Sequence, residues 1–204
     1  MSWKKICLYI LLFIVVVLPY IGFFYIVRWY KQKVENVERA AVVIIDKETM
    51  TLSLVDYKGV TRMTYPIACG KNYGNKEKRG DMKTPEGIFH VSDIQDASDW
   101  THDFHDGNGE IEGAYGPYFI RLDTPGHKGI GIHGTHLPES IGTRATEGCI
   151  RLKNEDLMEL KKSVYEGMSV IIIPSSKDAL SLSVQMDKTC SPPRKPDCLK
   201  MDKN

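Results

Sequence analysis

Cys149 and His133 are the two residues of this chain whose types and spacing best suit chemistry. They stand sixteen positions apart, near the two ends of the segment 132–152. A free thiol has a pKa of about 8.5, so it needs a nearby base or positive field to react at neutral pH. We therefore expect Cys149 to act as a nucleophile and His133 to accept its proton.

The residues next to Cys149 supply two further features that acyl transfer requires. Gly148 leaves the backbone open to a substrate carbonyl, so the amides of Gly148 and Cys149 are candidate donors to an oxyanion. Arg151 follows Cys149 by two positions and shares its face if the chain is extended there, which adds a fixed positive charge. Nucleophile, base and charge stabilisation together predict acyl transfer.

Four segments of the chain carry a family resemblance. HGT at 133–135 and TEGCIRL at 146–152 resemble the signature of the YkuD-type L,D-transpeptidases. KTPEG at 83–87 resembles the Thr-Pro-x-Gly turn of that family, and YGPYFIRL at 115–122 resembles the strand that enters its site. The similarity covers roughly residues 40–174, most of the chain outside the apolar N-terminus, so a chance match to one short motif does not explain it.

The resemblance implies a reaction and a set of roles. The substrate is a peptidoglycan stem peptide, Cys149 forms the thioester, and the acyl group passes to an amine or to water. His133 is the base, with its ring oriented by the backbone carbonyl of Gly134 or its neighbour, and Arg151 clamps a substrate carboxylate. The remaining substrate-facing positions are Thr146, Glu147 and Tyr118. No cofactor is expected.

Glu147 departs from the family pattern, which usually has histidine at that position. A carboxylate two residues from the nucleophile raises the thiol pKa by like-charge repulsion unless a cation pairs with it. Arg144 and Arg151 are the cations nearest in sequence. We predict that Glu147 is ion-paired.

Three alternatives to this enzyme remain open. Cys149 taken alone fits a buried structural cysteine, which is the common fate of a free cysteine in a core. The second alternative is a protein that keeps the fold and binds peptidoglycan without turnover, with Glu147 as the mark of its lost activity. A metal hydrolase would use His127, His133 and His136, but their spacing matches no zinc signature, and we expect no metal.

The segment 6–27 holds twenty-two residues without a charge, which is long enough to span a bilayer. It is long for a cleaved signal peptide and no small-x-small site follows closely, so we expect an uncleaved signal anchor. Two cations precede it, Lys4 and Lys5, and four follow it, so a literal positive-inside count would leave the large domain in the cytoplasm. The four are Arg28, Lys31, Lys33 and Arg39. Long domains translocate largely regardless of flanking charge, and the predicted substrate lies outside. We therefore expect a single-pass inner-membrane protein with its catalytic domain in the periplasm or cell-wall space.

Composition sets the domain plan and excludes one class of partner. The formal net charge is +1 and no long basic run occurs, so nucleic acid is not an expected partner. We expect a short cytoplasmic N-terminus and transmembrane anchor over 1–31, a connecting segment over 32–39, a catalytic domain over 40–175 and a C-terminal tail over 176–204. Cys190 and Cys198 in that tail favour a small disulfide loop and a disordered segment equally. The oligomeric state is left open.

Short apolar runs predict a mainly β domain, either a sandwich or an open barrel of mixed strands, with one prominent helix. Asn154 is expected to cap that helix, whose buried face carries Leu157, Leu160 and Val164. The predicted strands cover 42–46, 51–56, 60–66, 87–94, 118–122, 129–133 and 170–173.

The long polar stretch 96–113 predicts a loop between two strands. We expect it to form a lid over the cleft, with Trp100 and Phe104 touching substrate. His102 and His105 with their acidic neighbours also suit a metal, but a solvated loop explains the same residues more simply.

Overall fold

The computed structural model describes residues 3–39, 41–104, 107 and 109–181. Cys190 and Cys198, for which a disulfide loop and a disordered tail are equally favoured, therefore lie outside the described residues. His105, which the alternative metal site in the loop would use, also lies outside them.

The N-terminus is one long apolar helix. Helix α1 covers Trp3–Leu12, a π-helical turn covers Phe13–Val17, and helix α2 covers Leu18–Arg39. Pro19 has no amide proton to donate one turn back, which accounts for the widened turn just before it. The span Trp3–Lys31 is 29 residues long and none of its most apolar window is buried, so it is long and apolar enough to cross a bilayer. An N-terminal signal sequence has the same properties, and both indicate a secreted or membrane-anchored protein.

Within 41–104, 107 and 109–181, the structure has twelve strands, the helix α3 at Asn154–Lys161, a 3-10 turn at Pro138–Ser140 and a helical turn at 176–181. The strands are β1 Ala41–Asp46, β2 Thr51–Asp56, β3 Thr61–Pro66, β4 Cys69–Gly70, β5 Gly87–Asp96, β6 Thr101–Asp103, β7 Glu110–Glu112, β8 Tyr118–Asp123, β9 Gly131–His133, β10 Arg144–Thr146, β11 Ile150–Arg151 and β12 Ser169–Ile173.

Eight strands form a single curled mixed sheet in the order β11, β9, β8, β5, β12, β1, β2, β3. The pairs β1/β12 and β9/β11 are parallel and the other neighbours in this sheet are antiparallel. Two short ribbons, β4/β10 and β6/β7, lie outside it. The prediction of a mainly β domain with mixed strands is confirmed, and of the two predicted forms the single curled sheet matches the open barrel.

One face of this sheet and one face of α3 form the core. Leu52 and Leu54 alternate with exposed or half-buried neighbours along β2, as a strand with one buried face requires. Leu157 and Leu160 of α3 are fully buried against the sheet, and Val164 joins them just past the helix. Each such side chain stabilises the fold by about 1.5–3 kcal/mol.

The start of α3 differs from the prediction. Lys153 occupies the N-cap position and makes no side-chain cap, so Asn154 is the first helical residue. The Asn154 side chain instead accepts a hydrogen bond of 2.8 Å from the amide of Thr135. The predicted cap is therefore wrong, because tertiary contact with the loop after β9 outweighs the local preference of asparagine.

Residues 176–181 form a helical turn that packs into the domain. Asp178 is fully buried there and accepts a bond of 2.6 Å from the amide of Gly74. It also pairs with Lys47 at 3.2 Å and with Arg144 at 2.8 Å. The first residues of the predicted tail thus belong to the folded domain.

Candidate active site

The parallel pairing of β9 with β11 places Cys149 and His133 on one side of the sheet edge. Ile150 lies opposite Ile132, and Arg151 lies opposite His133. Both isoleucines are fully buried in the core. Since side chains alternate along a strand, His133, Arg151 and the flanking Cys149 project from the other face.

The His133 ring is held in one protonation pattern. Its Nδ1 lies 2.7 Å from the carbonyl oxygen of Gly134, and because a carbonyl only accepts, Nδ1 carries the proton and Nε2 of the neutral ring is free. The ring stacks on Phe119 at 5.6 Å between centroids and meets the edge of Tyr115 at 4.9 Å. Burial lowers the pKa of His133 to about 3, and the positive charge of Arg151 acts in the same direction. The imidazole is therefore neutral at physiological pH.

Cys149 is half-buried, and its thiol donates to the carbonyl of Gly129 at 3.3 Å. Burial raises the pKa of Cys149 to about 11, against the effects of a backbone hydrogen bond from Gly131 and the positive charge of Lys76. The resting pair is thus a thiol and a neutral imidazole. Attack on a substrate requires the proton to leave the thiol during the reaction.

A tight turn carries Cys149 to this position. The Thr146 hydroxyl donates to the carbonyl of Cys149 at 2.6 Å and accepts from the amide of Gly148 at 3.1 Å. Gly148 has φ of +136°, and a Cβ on it would lie 2.7 Å from the carbonyl oxygen of Lys83, so only glycine fits. Thr146 is 2% exposed and braces the turn from inside. The Gly148 amide, a predicted oxyanion donor, is already engaged with Thr146 here.

Arg151 lies beside this turn and is almost fully buried. Its Nη1 donates to the Ser140 hydroxyl at 3.0 Å, and its guanidinium lies 5.8 Å from the centre of the Phe104 ring. Among the described residues, Arg151 Nε has no hydrogen-bond partner although it is buried. A buried cation with an unused donor is a candidate site for an acceptor group of a ligand.

Glu147 has a partner, but not one of the arginines nearest in sequence. Its carboxylate lies 3.3 Å from Nε2 of His102. Nδ1 of His102 in turn shares a hydrogen bond of 3.1 Å with the Tyr115 hydroxyl. Arg144 is turned toward Asp178 and Arg151 toward Ser140. The hairpin β6/β7 supplies the partner, a pairing that spacing along the chain does not indicate.

The loop predicted as a lid covers the face of the sheet that carries His133. Trp100 packs against Tyr115 at 5.9 Å and Phe119 at 5.5 Å between ring centroids, and Phe104 packs against His136 at 5.4 Å. Both predicted lid aromatics therefore line the wall around the site.

Comparison with known proteins identifies the domain. The model of the YkuD family, described as the L,D-transpeptidase catalytic domain, matches residues 40–172. The chain belongs to the YkuD family. It is 34% identical over 130 residues to the putative L,D-transpeptidase YkuD of Bacillus subtilis (strain 168). The aligned stretch covers 64% of this chain and 63% of that protein. It is 28% identical over 145 residues to the putative L,D-transpeptidase YqjB of the same organism, with 70% and 77% covered.

A solved structure agrees on the fold of this YkuD-family domain. The helical cell shape determining protein Pgp2 from Campylobacter jejuni superposes with a TM-score of 0.50 at 25% identity, over 68% of this chain and 49% of that one. The chain thus spans about half of that protein, and just under two thirds of the Bacillus subtilis YkuD protein.

Sequence reasoning did not single out Phe119 and Lys76, which lie near this YkuD-family site. Tyr118 packs on the core, with Lys161 Nζ 4.2 Å from the centre of its ring, and its neighbour Phe119 contacts His133 instead. Lys76 lies behind the turn that carries Cys149, and no local motif marks it. Across the described residues, no group of three or more His, Cys, Asp or Glu side chains is placed to hold a metal ion.

Proposed function

We propose that this protein is a cysteine-dependent L,D-transpeptidase that acts on peptidoglycan stem peptides. The observation that supports it most is the placement of Cys149 and His133 on one face of two adjacent parallel strands. The bond from His133 Nδ1 to Gly134, which leaves Nε2 free to take a proton, supports the same role.

In the proposed reaction, the Cys149 sulfur attacks the carbonyl that follows the third, L-centred residue of a tetrapeptide stem. His133 Nε2 takes the thiol proton and gives it to the departing amine of D-alanine as the carbon–nitrogen bond breaks. The acyl group remains as a thioester on Cys149. An amine acceptor or water then attacks the thioester, and the thiol is regenerated.

Binding is proposed to depend on Arg151 and on the aromatic wall. A carboxylate of the stem peptide suits the buried guanidinium, whose Nε has no partner among the described residues. Glu147, whose carboxylate contacts His102, is proposed to contribute to the same binding region. The acceptor is a side-chain amine of a neighbouring stem, which gives a 3-3 crosslink, or another amine, or water.

The proposed location follows from the N-terminal helix and the substrate. The apolar helix Trp3–Lys31 acts as an uncleaved anchor in the inner membrane. The catalytic domain then lies in the periplasm or cell-wall space, where peptidoglycan is found.

The direct test uses the purified full chain in detergent with a tetrapeptide stem. We expect release of D-alanine and a transient acyl adduct on Cys149 by mass spectrometry. Cys149→Ala should abolish both, and His133→Gln should slow acylation by roughly 10²–10⁴-fold because the general base is lost. Cys7→Ala, in the N-terminal helix, is the matched control and should keep full activity. Release of D-alanine by Cys149→Ala would refute the proposal.

A peptidoglycan-binding protein without turnover is the second candidate. Burial raises the pKa of Cys149 to about 11, and the Glu147 carboxylate acts in the same direction, which favours this function. Incubation with a carbapenem separates the two functions, since a competent nucleophile is acylated and gains the mass of the drug. An unmodified Cys149 peptide after long incubation would leave binding as the function.

A further inference from the structure

Lys76 is a buried cation close to the nucleophile that the proposed mechanism does not use. It lies in the segment between β4 and β5, 73 positions before Cys149, and is 8% exposed. Its Nζ lies 3.3 Å from the position that a Cβ on Gly148 would occupy. The ammonium group therefore abuts the residue that precedes Cys149.

Asp81 fixes the position of this ammonium group. Its Oδ1 pairs with Lys76 Nζ at 2.7 Å, and the carbonyl of Lys83 lies 3.4 Å from the same nitrogen. The Asp81 carboxylate also accepts from the amides of Glu77, Lys78 and Lys83. Although burial alone would raise the pKa of Asp81, the bonds from Lys76 and from these amides hold it well below its usual range. A carboxylate bound in this way is a rigid anchor for the lysine.

On the side that faces Gly148, the positive charge of Lys76 lies nearer than the negative charge of Asp81. Lys76 Nζ is among the three atoms nearest to the Gly148 Cβ position, whereas no atom of Asp81 is. The amide of Gly148 is engaged with the Thr146 hydroxyl, so it offers no free donor at this point. The positive charge behind the turn can therefore favour negative charge on the sulfur, in addition to the charge of Arg151.

We propose that Lys76 is a positioning residue for the reaction: its ammonium group, fixed by Asp81 beside Gly148, favours the negative charge that develops on the Cys149 sulfur during attack. In this role Lys76 transfers no proton.

The other ionisable groups around the sulfur come from several parts of the chain. Glu147 and Arg151 flank Cys149 in the chain, and Tyr115 lies in the segment between β7 and β8. His133 lies on the facing strand β9, and His102 and His136 act on its ring. Removal of one cation from this set should make the thiol harder to ionise.

This inference rests on the proposed nucleophilic role of Cys149, but its test requires no peptidoglycan. The full chain in detergent is alkylated with iodoacetamide across neutral and alkaline pH. Trypsin then releases the peptide 145–151, in which Cys149 is the single cysteine, and mass spectrometry gives its rate of alkylation. A failure of turnover on stem peptides would leave this measurement intact.

For Lys76→Met we expect the midpoint of the pH–rate curve to move to higher pH. At neutral pH the alkylation rate should fall on the order of tenfold, as a shift of one pKa unit requires, while the rate at high pH is unchanged. Lys76→Arg should restore the wild-type midpoint. Lys83→Met removes a cation of the same segment that pairs with Glu77 at 2.8 Å, and it should leave the midpoint in place.

Two results would overturn the inference. One is a Lys76→Met midpoint equal to that of the wild type. The other is a Lys76→Arg variant that reacts as slowly as Lys76→Met, because the arginine keeps the positive charge and only a structural role of the lysine would then explain the loss. If Lys76→Met loses its near-UV circular dichroism, Lys76→Gln replaces it under the same criteria, since the amide still donates to Asp81 without the charge.

Discussion

At the scale of single residues, the site combines a hard-to-ionise thiol with a base that stays neutral. Burial raises the pKa of Cys149 to about 11 and lowers that of His133 to about 3. Both shifts oppose a thiolate–imidazolium pair in the resting protein. The bond to Gly134 keeps the His133 lone pair available, which the proposed proton transfer requires.

The buried His133 makes stability depend on pH. Its folded pKa lies below the ordinary value of 6.5, so below that pH the unfolded chain takes up a proton that the folded chain does not. The free energy of unfolding should therefore fall as the pH drops from 6.5 toward 3, at a slope approaching about 1.4 kcal/mol per pH unit. Urea unfolding followed by near-UV circular dichroism measures this slope.

The matched variant is His133→Gln, which fills similar space and does not titrate. Its unfolding free energy should be less sensitive to pH across this window than that of the wild type. Equal slopes in the two proteins would show that His133 takes up its proton in the folded state. Below about pH 4 the carboxylates add their own effect, because Asp81 and Asp178, whose pKa values are lowered by folding, stay charged in the folded state while the unfolded chain takes up protons at these groups.

At the scale of elements, one buried ion cluster joins parts of the chain that are distant in sequence. Lys47 follows β1 and pairs with Glu86 at 2.6 Å and with Asp178 at 3.2 Å. Arg144 of β10 reaches the same Asp178 carboxylate. The cluster ties the end of β1, the turn before β5, the strand that leads to Cys149 and the helical turn 176–181.

Asp178→Ala should destabilise the domain by about 3–5 kcal/mol, because it leaves Lys47 and Arg144 buried without a shared partner. The free energy of unfolding from urea titration tests this. Lys177→Ala, an exposed neighbour in the same turn, should change it by less than about 0.5 kcal/mol. A small effect of Asp178→Ala would mean that the turn 176–181 contributes little to the fold.

At the scale of the whole molecule, the chain joins an apolar helix to a curled mixed sheet whose edge carries the site. The helix Trp3–Lys31 buries none of its most apolar window against the domain. It therefore needs a bilayer or removal by a signal peptidase, because a surface of this size is unstable in water. We expect it to be retained.

Fractionation of cells that express the full chain tests this expectation. The protein should stay with the membranes after alkaline carbonate washing, and its intact mass should include the residues of α1. A variant without residues 3–31 should be recovered in the soluble fraction with its near-UV spectrum preserved. A mature protein that begins after the helix would show that the segment is a cleaved signal peptide.

Much of the domain was predictable from local pattern. Alternation along β2 and β5 and the apolar run of β12 predicted strands at 51–56, 87–94 and 170–173 that the structure contains. The strands β4 and β11 were missed, since each has only two residues and exists because a neighbour pairs with it. Two residues are too few to carry a periodic signal.

By itself, the sequence determined the family, the long strands, the apolar N-terminus and the candidates for nucleophile and base, because residue type, short spacing and periodicity are local properties. Tertiary structure decided which groups surround the pair. His102 rather than an arginine meets Glu147, Phe119 rather than Tyr118 stacks on His133, and Lys76 abuts Gly148. The physical reason is that these contacts join segments far apart in the chain, and their distances are set by sheet pairing and core packing.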